Sequence, residues 1–147
     1  MLLKSIRTAQ YPLVAEFVFN YNDTMVDVVG VPQDYGASAI RTNAVFETIP
    51  LPGNAIVVGG DITVDVPYVG PTTATIGVGD MNALNRYATA VDMKTAARTA
   101  LTLTGYRGSG ENLRFTINTT VAVATAGKVS VRAAYIVTGR ANENCIT

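Results

Sequence analysis

Apolar and polar residues alternate along most of this chain, and the period is two. Ile62, Val64, Val66 and Tyr68 alternate with Thr63, Asp65 and Pro67, the pattern of a strand with one buried face. Leu113, Phe115, Ile117, Thr119, Val121 and Val123 do the same over a longer run, as do Val129, Val131, Ala133, Tyr135 and Val137. Shorter candidates lie near Val14–Tyr21, Thr24–Val31, Ala39–Ile49, Ala55–Val58, Ala74–Val78 and Thr99–Thr104. Turn residues recur between them at roughly the 8–12-residue spacing of sandwiches and barrels. The pattern predicts an all-β chain, an antiparallel β-sandwich of about eight to ten strands.

Local chemistry predicts how the strands connect. Leu51-Pro52-Gly53-Asn54 offers a type II turn, with Pro fixing φ and Gly accepting a positive one. Gly59-Gly60-Asp61 reads as a second turn between two apolar runs. Ala126-Gly127-Lys128 separates the two longest alternating runs, so Glu111–Ala124 and Lys128–Gly139 are expected to pair as an antiparallel hairpin. Strands that long are expected to bend, bulge or extend past the body of the sandwich.

One stretch departs from the period. Asp80–Ala97 places Met81, Leu84, Ala88 and Val91 at helix-like spacing, with Asp80 and Asp92 as possible N-caps. Thr89, Val91 and Thr95 oppose a full helix. The expectation is a loop with one or two short helical turns near residues 92–97.

Residues 1–12 show no period and close on Tyr11-Pro12, where proline biases its predecessor to extended backbone. Leu2, Leu3, Ile6 and Tyr11 make this segment more apolar than a solvating tail requires. It is read as an extended arm that orders on a neighbouring subunit, the alternative being a disordered tail, followed by one β-sandwich domain over 13–147. The basic start has no apolar run of the roughly 7–15 residues a secretory signal needs, nor the about 20 of a membrane helix. The chain is therefore expected to be soluble, made in the cytoplasm and without a membrane partner.

Composition narrows the chemistry. Hydrophobic residues make up 48% and charged residues 15% of 147, the latter below the roughly 25% of an average soluble domain. Eleven basic residues balance 11 acidic ones, so the surplus of cations that releases counterions from nucleic acid is missing. A net charge near zero favours association between copies. The single cysteine, Cys145, has no partner for an intrachain disulfide. With no histidine, Ser-His and Cys-His pairs, common zinc sites and an imidazole base are all excluded.

What candidate chemistry remains is thin. Asp61 and Asp65 project from one side of a predicted strand, as a carboxylate pair for glycoside hydrolysis must; the plainer reading makes them its wet face. Gly77-Val78-Gly79-Asp80 and Gly105-Tyr106-Arg107-Gly108-Ser109-Gly110 lack the βαβ setting or Gly-Lys-Ser/Thr ending of phosphate loops. Tyr35, Tyr87 and Tyr106 fall in or near loops and could form a sugar platform, whereas Tyr68 and Tyr135 fall on core faces. Asp61, Asp80 and Glu111 could hold calcium but lack EF-hand spacing. No cofactor is expected, and surface for partners is left, including edge strands able to pair with another chain.

Three blocks resemble a known group: Phe46–Gly60, then Ala74–Asp80 with Asn85-Arg86-Tyr87, then Ala97–Gly105. They are similar to the capsid cement (decoration) proteins of tailed bacteriophages, in particular the jelly-roll cement protein on a podovirus head such as that of a Bordetella phage. The resemblance implies a jelly-roll-like, non-enzymatic structural protein on the outer surface of the virion head. It implies binding to the major capsid protein and self-association, a homodimer ahead of a trimer. No catalytic residues carry over. Arg7 and Tyr11 in the arm, and Arg41 and Arg107 at a polar rim, are the expected interface residues, chosen because Arg and Tyr are favoured at interfaces. The competing expectations are a carbohydrate-binding β-sandwich module and a tail or head-fibre component.

Overall fold

Ten strands and no helix form among the described residues, 12–36 and 44–139, of the computed structural model. They are β1 (Leu13–Asn20), β2 (Thr24–Val26), β3 (Pro32–Asp34), β4 (Ala44–Ile49), β5 (Ala55–Val69), β6 (Thr73–Gly79), β7 (Ala88–Asp92), β8 (Arg98–Ala100), β9 (Leu113–Thr120) and β10 (Ala126–Val137). One sheet has the order β1-β10-β5-β8 and the other β4-β9-β6-β7, with β2 and β3 paired separately. Every pairing is antiparallel. With the β2–β3 hairpin set aside, one sheet holds the first, eighth, third and sixth strands, and its partner the second, seventh, fourth and fifth. This is a jelly roll.

The period-two pattern builds the sandwich directly. Leu113, Phe115, Ile117 and Thr119 of β9 are buried, while Arg114, Thr116, Asn118 and Thr120 alternate outward. Phe19, Ile62, Val129 and Val131 from one sheet meet Phe46, Ile76, Phe115 and Ile117 from the other in a single core. Phe17, Phe19, Tyr35, Phe46 and Phe115 pack as an aromatic cluster with ring centroids 4.4–6.3 Å apart, geometry that adds to the burial of apolar area.

The predicted Glu111–Ala124/Lys128–Gly139 hairpin does not form. β9 and β10 enter opposite sheets, β9 between β4 and β6, β10 between β1 and β5. The chain crosses the sandwich through residues 121–125, where Val121 takes a φ of 73°. Each long strand buries one apolar face, and facing sheets bury both faces at once.

Gly59-Gly60-Asp61 is not a turn either. β5 runs through it, with a register shift where Ala134 and Tyr135 face Gly59 and Val57. Gly60 takes a φ of 138°, and a Cβ there would stand 2.2 Å from the Arg132 carbonyl oxygen. The glycine permits a close approach of β10, and the extra residue sits in a bulge. The turn at residues 51–54 is offset by one: Ala55 N–H donates to the Pro52 carbonyl at 3.2 Å, and Asn54, not Gly53, takes the positive φ of 64°.

The expected helical turns near 92–97 are absent, and the expected loop contains β7. The backbone explains both. Met93 N–H donates to Ala74 O, Tyr68 N–H to Met93 O and Val64 N–H to Ala97 O, each at 2.9 Å. Groups that a helix would use internally are taken by β5 and β6. Thr24–Val31 also departs from a single strand, because Asp27 folds it back into the β2–β3 hairpin.

Candidate interaction surfaces

Among the described residues, the β2–β3 hairpin carries the most exposed large apolar side chain, Val29, with three further outward valines beside it. Asp27 is 8% exposed and works as an internal cap. Its Oδ1 accepts from Val29 N–H at 3.0 Å and Val31 N–H at 2.9 Å, and Gln33 Nε2 donates to its Oδ2. Its own N–H and carbonyl close the loop onto Val31 O and Gly30 N, both at 3.0 Å. Gly30 supplies a φ of 86°. With the polar side chain turned inward, Val26, Val28, Val29 and Val31 are left outward, Val29 at 75% exposure.

This tip is held firmly. Val28 N–H donates to Val45 O of β4 at 3.0 Å, so the hairpin lies against one sheet edge. At its foot, Thr24 Oγ1 donates to Asp34 Oδ1 at 2.6 Å, and Tyr35 stacks on Phe19 with centroids 4.4 Å apart. Burial pushes the Tyr35 and Tyr68 phenols well above their ordinary range, with the nearby Asp23 charge adding to the effect.

Arg107, expected at a polar rim, is exposed at one end of the sandwich. Its Nε and Nη2 donate to Asn54 Oδ1 at 2.9 and 2.6 Å, while Asn54 N–H donates to Gly108 O at 2.8 Å. Much of its donor capacity therefore pins the 101–112 loop to the turn before β5. Arg7, Tyr11, Arg41 and Cys145 lie outside the described residues, as does most of the expected arm.

A second knot binds the same loop to the β6–β7 connection. The Arg86 guanidinium pairs with buried Asp80 and lies 3.6 Å from the centroid of the Tyr106 ring, a cation–π contact. Asn82 bridges the two loops, its N–H donating to Asp80 Oδ1 at 2.9 Å and its Nδ2 to Glu111 Oε1 at 3.0 Å. Ser109 N–H and Oγ donate to Glu111 at 2.6 and 2.8 Å, and Tyr106 Oη donates at 3.2 Å. Its own backbone N–H, then the Ser109 hydroxyl and these further donors, hold the Glu111 carboxyl down to about 2. The Asp80 partner raises the Arg86 guanidinium further.

The acids weighed as chemistry are engaged structurally. Asp61 is 4% exposed, not wet. Arg98 Nε donates to its Oδ2, and Arg132 stands 3.5 Å from its Oδ1 without hydrogen-bond geometry. Asp65 instead accepts from Ser130 Oγ. Asp61 pairs with Arg98 and Asp80 with Arg86, Asn82 joins Asp80 to Glu111, and among the described residues no three potential ligands gather around a point.

The expected sugar platform is dismantled. Tyr35 and Tyr87 are buried in the core, and Tyr106 is half-buried under Arg86. Tyr68 is buried as expected, whereas Tyr135 is only half-buried. Among the described residues no helix is long and apolar enough to cross a membrane. Sequence inspection missed the valine hairpin; the run Val26-Asp27-Val28-Val29-Gly30-Val31 was its signal, an apolar stretch around one aspartate beside a glycine.

Neither a family model nor a curated protein matches the chain. Solved structures do. A chain of the cyanophage Pam1 capsid asymmetric unit is similar with a TM-score of 0.57 and 19% identity, over 93% of this chain and 94% of that one. A chain in the acidic stable capsid structure of Helicobacter pylori bacteriophage KHP30 gives 0.58 and 19%, over 86% and 87%. One in the capsid of Ralstonia phage GP4 gives 0.54 and 15%, over 92% and 91%. At these identities the likeness is one of fold, and it runs nearly end to end.

Proposed function

We propose that this chain is a non-enzymatic structural protein of a phage head, a cement or decoration protein that attaches to the major capsid protein and stabilises the shell. The observation behind this reading is the end-to-end fold likeness to chains in three phage-capsid structures. The surface chemistry agrees with it. Among the described residues Asp61 and Asp80 are held in ion pairs and Glu111 in a loop clamp, while a braced apolar tip is left facing outward.

In this reading the sandwich is a rigid clip, and adhesion does the work. DNA packed in a head presses outward, and a clip across subunit joints resists opening through buried contact. A stable joint needs on the order of 1,200–2,000 Å² of buried surface. The valine tip, residues 1–12 and pairing between two copies would share that area, with Arg7 and Tyr11 as contacts in the arm and Arg41 and Arg107 at the polar rim.

The test is to mix the purified protein with shells lacking it, then follow co-sedimentation and heat-induced DNA release. Bound protein together with a higher release temperature is the expected result. Shells that neither bind nor gain heat resistance would overturn the assignment. Imaging labelled protein on intact particles separates head from tail or fibre placement.

A further inference from the structure

The outer face of the β4-β9-β6-β7 sheet holds an open groove of about 470 Å³, within the usual range of small-ligand sites. Thr75 and Gly77 of β6 stand directly opposite Asn118 and Thr116 of β9 and make its floor. Leu84 and Asn85, from the β6–β7 connection, complete the lining that matters here. Gly77 creates the hollow: a Cβ there would meet the Ala88 carbonyl at 3.4 Å and Thr116 Cβ at 3.7 Å, occupying space without collision.

Two polar atoms on this floor are unexplained by the fold. Thr116 Oγ1 and Asn118 Oδ1 are covered yet have no hydrogen-bond partner. Covered polar groups nearly always find one, and leaving one unmet is costly. Neighbouring Thr73 and Thr120, on the same two strands, satisfy each other at 2.6 Å. Thr116 Oγ1 and Asn118 Oδ1 do not, although at the groove's side the Thr89 hydroxyl donates to the Asn85 carbonyl at 3.5 Å.

We propose that this groove binds a neutral carbohydrate. No charged side chain lines it among the described residues, so a phosphate, a carboxylate or a cation would find no countercharge. An apolar ligand would strand Thr116, Asn118 and the Asn85 amide. An extended peptide takes its main-chain hydrogen bonds from a strand edge, and this is a sheet face. Sugar hydroxyls both donate and accept, matching a floor of hydroxyls and an amide, and side-chain rotations to other allowed rotamers would bring the covered Thr116 hydroxyl and Asn118 amide oxygen to them. With no aromatic ring in the lining, the expected dissociation constant is on the order of millimolar. The site is independent of the virion assignment and differs from the tyrosine platform that the fold buries.

The experiment titrates the isotope-labelled full chain with maltohexaose, cellohexaose and N-acetylchitohexaose, followed by amide NMR. Saturable shifts centred on Gly77, Thr116 and Asn118 are expected with at least one of them. Thr116→Val keeps the shape and removes the hydroxyl; it should weaken binding about tenfold without lowering the melting temperature. Gly77→Ala fills the floor and should weaken binding as well. The proposal is overturned if none of the three saccharides gives saturable shifts at these residues. It also fails if both variants bind as the parent does, or if only an extended threonine-rich peptide occupies the groove.

Discussion

The Tyr68 phenol donates to the main-chain carbonyl of Tyr35 at 2.9 Å, joining the longest strand to the foot of the valine hairpin. Both residues are essentially fully buried. Tyr68→Phe keeps the ring and leaves that carbonyl unpaired, which costs about 1–3 kcal/mol. Urea unfolding should show a lower midpoint with an unchanged slope. A variant as stable as the parent would mean that this bond does not brace the hairpin.

The same ring sets a limit on its neighbours. A Cβ at Gly127 would stand 2.3 Å from Tyr68 Cδ2, closer than atoms can approach. Gly127→Ala should therefore destabilise by about 1–3 kcal/mol through overpacking. Gly53→Ala is the control, because its Cβ would meet only Ser109 backbone at 3.6 Å or beyond and no positive φ is needed. Equal thermal midpoints for the two variants would contradict this packing.

The contrast between these glycines shows what could be inferred before the fold was known. Strands β6, β9 and β10 were legible because one face of each must be buried, and that requirement is local. Gly59-Gly60 was not, since whether a glycine pair turns or bulges depends on the Arg132 carbonyl approaching from a strand some 70 residues away in sequence. Ala126-Gly127-Lys128 carries hairpin chemistry, yet β9 and β10 part because two facing sheets bury more than one. Tyr35 and Tyr87 looked like loop residues, but the aromatic cluster and the β6–β7 connection draw them inward. The valines of the candidate surface were visible as an apolar run, whereas their outward turn depends on hydrogen bonds made by Asp27.

Glu111 gives the loop clamp a defined pH response. Its carboxyl titrates at about 2 when folded, against an ordinary value of 4.5. A depressed folded value means that ionised Glu111 stabilises the protein above about 4.5, and that this contribution fades as pH falls towards 2. Glu111→Gln should thus melt below the parent at neutral pH. The gap should narrow between 4.5 and 2 and vanish below that window. Melting curves of the two proteins across this range check it; a gap independent of pH would show that shape, not charge, holds the clamp.

Attachment to a shell, if it runs through the hairpin, should respond to two substitutions in different ways. Val29 is 75% exposed and touches little of its own fold, so Val29→Asp should leave the melting temperature nearly unchanged. It would, however, place a charge in an apolar joint, where burying it unpaired is expensive, and co-sedimentation with shells should be lost. Asp27→Ala acts differently. It removes the acceptor for Val29 N–H, Val31 N–H and Gln33 Nε2, costing about 1–2 kcal/mol as capping losses do, and it frees the tip to move. Its valines remain, so binding should weaken through the cost of ordering the loop and not disappear. Hydrogen exchange at residues 28–31 should rise in Asp27→Ala and stay unchanged in Val29→Asp. If Val29→Asp sediments with shells as the parent does, the adhesive surface lies elsewhere on the sandwich.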